Sequence, residues 1–106
     1  MRDDRPLALG WVHPETAAPD WDMAQVRRLA RRLGYRLQWS AEASRIPLAD
    51  QVREWNADAL LLPATEHVDI LTLHAVMMVA DVETAEPRMS FARWAVNSRE
   101  SRLRSQ

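Results

Sequence analysis

The sequence predicts a small three-layer α/β domain, a mostly parallel four- to five-stranded sheet with helices on both faces. Three observations predict it. Short apolar or period-two runs recur at 7–12, 35–39 and 59–62, segments with helical spacing separate them, and Pro or Gly punctuates the joints. Strands alternating with helices over about 80 residues call for right-handed crossovers and hence a parallel sheet.

The elements follow in order. Residues 7–12 (LALGWV) follow Pro6 and read as a buried strand. The loop over 13–19 carries two prolines, Pro14 and Pro19. Asp20 then offers a helix N-cap, and Asp22 adds favourable charge to the first turn. Met23, Val26, Leu29, Ala30 and Leu33 form one apolar stripe, Arg27, Arg28, Arg31 and Arg32 crowd the C-terminal half, and Gly34 supplies the C-cap. Residues 35–39 (YRLQW) alternate as a second strand, and 40–45 form a polar connection. Pro47 suits a first helical turn, with Leu48, Val52 and Trp55 as the apolar stripe of a second helix. Residues 59–62 make a third buried strand, closed by Pro63. The apolar density from His67 to Val79 suits a helix packed on most sides, with His74 as a hydrogen-bonded core residue. Residues 81–85 (DVETA) read as a fourth strand ended by Pro87. The division expected is a 1–95 α/β domain followed by an arginine-rich, flexible tail at 96–106.

Composition narrows the function classes. A chain of 106 residues is one domain and can hold its own core. It has no cysteine, which excludes disulfides, thiolate metal sites and cysteine nucleophiles and fits a reducing, cytoplasmic setting. No apolar run reaches the roughly 18 residues of a membrane span, and the N-terminus does not have the pattern of a signal peptide. All fourteen cations are arginine, yet the net charge is −1. A near-neutral chain lacks the overall field of a nucleic-acid binder, so the arginine bias reads as the coding bias of a GC-rich bacterium. The arginine run on the first helix reads as a solvated face. Neither of the two glycines, Gly10 and Gly34, lies in the loop after the first strand, so a phosphate-cradling loop and a nucleotide cofactor are not expected; no other cofactor is implied.

Some chemistry is still placed together. Ligands of open parallel sheets bind outside the carboxyl ends of the strands. There the loops after the first and third strands should meet, bringing His13 and Glu15 beside Glu66 and His67. Two imidazoles and two carboxylates are the donor types of a zinc site or an acid–base pair; Glu66 and His67 equally suit the first turn of a helix, where Glu complements the dipole. Among five tryptophans, Trp39 and Trp55 fit the core, while Trp11, Trp21 and Trp94 suit an interface. Met89, Phe91 and Trp94 lie beyond the fourth strand and must fold back onto the sheet edge or bury against another molecule. Arg99, Arg102 and Arg104 are the residues that would contact nucleic acid.

Three stretches carry a resemblance: 7–12 ending in Gly10-Trp11-Val12, then Gln25-Val26-Arg27-Arg28-Leu29 with Gly34-Tyr35, and Ala57-Asp58-Ala59-Leu60-Leu61-Leu62. Over about residues 7–85 the chain resembles the N-terminal domain of serine recombinases, the resolvase/invertase family. The resemblance implies a resolvase-like fold, and dimer contacts from the segment after the sheet. It also implies where catalytic groups would stand, and this chain departs from them. His13 occupies an arginine position and Glu15 the position of the serine nucleophile, while Glu66, His67 and approximately Ile70 stand in place of an aspartate–arginine pair and a further arginine. A carboxylate would repel the phosphate it should attack, so DNA cleavage is not expected. Three readings remain open: a non-catalytic domain acting through protein contacts, as a homodimer or an accessory to a regulatory or mobile-element system; a small-molecule or metal-binding module using His13, Glu15, Glu66 and His67; or a DNA-associated protein using its basic C-terminus.

Overall fold

The structure, a computed structural model, describes residues 3–40 and 45–93. Five strands form one sheet: β1 (Leu7–Gly10), β2 (Arg36–Trp39), β3 (Ala59–Leu62), β4 (Asp81–Thr84) and β5 (Met89–Phe91). Three α-helices join them: α1 (Pro19–Leu33), α2 (Leu48–Glu54) and α3 (Ile70–Met77), the last preceded by a 3₁₀ turn at Thr65–His67. The strand order is β2-β1-β3-β4-β5, with every pairing parallel except β4–β5. The fold class expected from sequence is therefore the one found.

Strand alternation sorts the core into two layers. Ala8, Ala59 and Leu61 pack with Val26, Leu29 and Ala30 of α1. Leu9, Leu60, Leu62 and Val82 pack on the opposite side with Leu48 and Val52 of α2 and Val76 of α3. The chain steps outward from β1 to β2 and then returns past β1 to β3. With crossovers of one hand, that reversal puts α1 on one face and α2 and α3 on the other.

Local chemistry sets the element ends. α1 begins at Pro19 with Ala18 as N-cap and no side-chain cap, so Asp20 is a first-turn residue and not the cap expected. Proline at N1 has its φ preset and no N–H to satisfy, which moves the start two residues earlier. At the other end Gly34 has φ 80°, and the N–H groups of Gly34 and Tyr35 donate to the carbonyls of Arg31 and Ala30. Together these form a Schellman end. α2 ends in the same way without a glycine: Asn56 has φ 52°, and the N–H groups of Asn56 and Ala57 donate to Arg53 and Val52.

That turn at Asn56 overturns the expectation for Trp55. The indole is 47% exposed and does not sit in the core. The helix stops just before it, the chain swings inward, and Ala57 takes the buried place next to Val52. Trp39 does pack against the α1-side core, over Gly10; a Cβ there would lie 2.9 Å from the indole ring.

The segment 67–79 also differs from expectation. It is not a single helix packed on most sides, because Asp69 interrupts it and caps α3 by accepting the Thr72 N–H at 2.7 Å. Only Leu73, Val76 and Met77 of α3 turn inward. Ile70 and Leu71 are 79% and 78% exposed, and His74 lies at the surface, not in the core.

The β4–β5 hairpin is held by Thr84, whose hydroxyl donates to the Pro87 carbonyl and accepts the Met89 N–H, and by an Arg88–Glu83 ion pair at 2.8 Å. Met89 and Phe91 belong to β5. Phe91 packs against the α2/α3-side core, while Met89 stays largely exposed. Trp94 and the tail, with Arg99, Arg102 and Arg104, lie outside the described residues.

Candidate functional site

The strand order reverses between β1 and β3, and at that point the two following loops diverge from the sheet and leave a crevice. Trp11 continues β1, its N–H donating to the Leu61 carbonyl. The chain then turns at His13, whose carbonyl accepts the Thr16 N–H. From β3, Pro63 and Ala64 lead into the 3₁₀ turn that carries Glu66 and His67.

His67 ties the two loops together. Its Nδ1 accepts the backbone N–H of His13 at 3.0 Å, across 54 positions of sequence. Because Nδ1 is an acceptor, the neutral ring carries its proton on Nε2, which lies 3.6 Å from Asp22 Oδ2 on α1. Both side chains are nearly closed off from solvent, at 11% and 14% exposure. The same Asp22 oxygen accepts the Thr16 hydroxyl, and the Trp11 indole N–H donates to the His67 carbonyl at 3.1 Å. His13 Nδ1 in turn accepts the Glu15 N–H.

Thr, Asp and His in contact invite comparison with a nucleophile triad, but the wiring differs. In a triad the imidazole accepts the nucleophile's proton and the carboxylate supports the imidazole. Here the Thr16 hydroxyl is bonded to the carboxylate, and the acceptor nitrogen of His67 is used by main chain. The arrangement ties the two loops to α1, with the Thr16 hydroxyl bonded to Asp22 and not to His67.

The sequence expectation that His13, Glu15, Glu66 and His67 lie near one edge matches their positions, for all four border one shallow depression together with Thr16. Glu15 and Glu66 are exposed at its margin. Among the described residues no group of three or more His, Cys, Asp or Glu side chains could hold a metal ion, so the metal expectation for these four has no geometric support. Asp22 is a residue whose sequence context points only to a charge complementing the helix dipole. Nothing in the local pattern marks it, since its partner lies 45 positions away.

A larger cleft adjoins the network, with a volume of about 460 Å³ and Trp11, Gln51, Glu66 and Asp69 among its walls. Gln51 is buried, with its amide donating to the Ile46 carbonyl at 2.9 Å. Asp69 is held below the usual carboxylate value by the Thr72 N–H that its side chain caps.

A second feature lies on the outside of the α2/α3 layer. Both helices run from the carboxyl edge of the sheet to its amino edge, since each joins parallel strands. Exposed Ile46, Ile70 and Leu71 therefore lie toward one end of the layer, and exposed Trp55 and Met78 toward the other. Of the chain's other tryptophans, Trp21 is exposed on α1 and Trp11 is half-buried in the network above. No described helix is long and apolar enough to cross a membrane. No family model, curated protein or solved structure matches the chain.

Proposed function

We propose that this chain is a non-catalytic α/β domain that acts through protein–protein contact, docking the outer face of α3 against a second copy of itself. The observation that carries this reading is the exposure of Ile70 and Leu71, at 79% and 78%, on a helix whose opposite face is already in the core. A helix that is apolar all round is one that expects cover on both sides.

Apolar exposure and charge favour a second copy as the occupant. Ile46, Trp55, Ile70, Leu71 and Met78 are all exposed on the α2/α3 side. Residues 70–77 carry no Asp, Glu, Lys or Arg, so two copies can meet about a twofold axis without like-charge repulsion. The same lack of charge removes the steering that a differently charged partner would use.

The non-catalytic reading is supported by His67 Nδ1, the nitrogen that would act as a base, being occupied by the His13 N–H. The resemblance to serine recombinases rests on sequence patterns alone; within it, Glu15 at the nucleophile position means that DNA cleavage has been lost. Incubation with supercoiled DNA should leave no covalent adduct.

The deciding experiment is light scattering at tens of micromolar. The wild type should run at twice the 12.2 kDa chain mass. The double variant Ile70→Glu/Leu71→Glu should run as a monomer with an unchanged circular dichroism spectrum. A monomeric wild type would discard the dimer, and a variant that stays dimeric would discard this face.

A further inference from the structure

We infer that the cleft at the carboxyl edge, between the loops after β1 and β3, is a binding site for a small organic cation, an ammonium or amidinium group carried on an apolar body. This inference is independent of the association through α3.

Three features converge on the cleft. It sits where the strand order reverses, the position at which open α/β sheets bind ligands. Its volume of about 460 Å³ falls within the roughly 300–1,000 Å³ of small-molecule sites. Its walls are pre-formed: the Trp11 indole is pinned by the His67 carbonyl, and His67 is pinned by Asp22 and the His13 main chain. A pocket held this way needs little reordering to receive a ligand.

The lining selects the ligand class. Trp11, Leu48 and Val68 supply apolar surface, and Glu66 and Asp69 supply two carboxylates at the exposed margin. Among the described residues no arginine lines the cleft. Hydrogen bonding from the Thr72 N–H keeps Asp69 ionised through the neutral range. An apolar floor with an indole and an acidic margin matches an amine whose body packs on Trp11 and whose charge faces the carboxylates. His67 Nδ1 is taken by the His13 N–H, and the ring acts as a wall.

The probe is phenethylamine, titrated into the full chain and followed by amide and indole chemical shifts. Phenylacetate, which has a similar body and the opposite charge, is the control. Saturable shifts should centre on Trp11, His13, Glu66 and Asp69, and phenylacetate should bind about tenfold more weakly or worse. Glu66→Gln/Asp69→Asn should weaken phenethylamine about tenfold while preserving the fold, because Asn still caps a helix. Equal binding of the two probes, undiminished affinity in the double variant, shifts centred elsewhere, or no saturable shift at millimolar concentration would each overturn the assignment. None of these outcomes bears on the light-scattering result, so the two proposals fail separately.

Discussion

The two faces of the sheet are covered by layers built on opposite principles. Among the described residues α1 alone covers one face, with Val26, Leu29 and Ala30 buried and Arg27, Arg28, Arg31 and Arg32 exposed on its outer side. α2 and α3 cover the other, and α3 carries apolar side chains both inside (Leu73, Val76, Met77) and outside (Ile70, Leu71), with exposed Met78 at its C-cap. Apart from the exposed Trp21 in its first turn, the α1 layer is complete as it stands, since guanidinium groups in water need no further partner. The outer side of α3 leaves apolar surface in water, a free-energy cost that association removes. On the reading proposed above, the interaction surface lies on α3 and the arginine-rich helix is a solvated boundary. Exchanging Arg27 and Arg28 for Glu should accordingly leave the dimer mass intact.

The comparison can be tested at the core first, where the effects are largest. Leu60 and Leu61 are neighbours on β3, fully buried on opposite faces. Either one changed to Ala should cost about 3 kcal/mol in denaturant unfolding, within the range for buried leucine truncations. A large asymmetry would show that one layer is loosely packed and able to collapse. Gly10→Ala comes next, at about 2 kcal/mol, since the added methyl meets the Trp39 ring at 2.9 Å and must displace it. An unchanged midpoint would mean that Trp39 does not lie on the sheet.

Smaller effects belong to the helix ends. Asn56→Ala should cost about 1 kcal/mol, because alanine resists the left-handed backbone that asparagine tolerates. Asn56→Gly should be neutral or slightly stabilising, and the pair of variants separates backbone strain from any loss of the side chain. The smallest effect is expected for Trp55→Ala, below about 0.5 kcal/mol in the isolated monomer, as for other surface substitutions. The same substitution should weaken self-association, which places Trp55 with the docking surface and not with the core.

Much of the carboxyl edge was legible in advance. β1 and β3 are apolar runs bounded by Pro6 and Pro63, so the loops that follow them were expected to meet, and His13, Glu15, Glu66 and His67 do border one depression. What joins them was not legible. The contact of His67 with Asp22 and with the His13 main chain depends on how far α1 is rotated and how the 3₁₀ turn presents the imidazole. No local pattern encodes either quantity.

The sequence by itself determined the alternation of strands and helices, the stripe of α1, the αL end at Gly34 and the wholly buried β3. These follow from periodicity and backbone preference, which act within a few residues. Tertiary structure alone decided that Trp55 lies outside, that the first turn of α3 is bare, and that Asp22 meets His67. Helical spacing states which side chains share a face, but not whether anything lies over that face. Trp55 shares the spacing of Leu48 and Val52, yet the chain turns inward at Asn56 before the indole reaches cover. Ile70 and Leu71 are as apolar as Leu73 and Val76, yet the sheet supplies a surface on only one side of their helix.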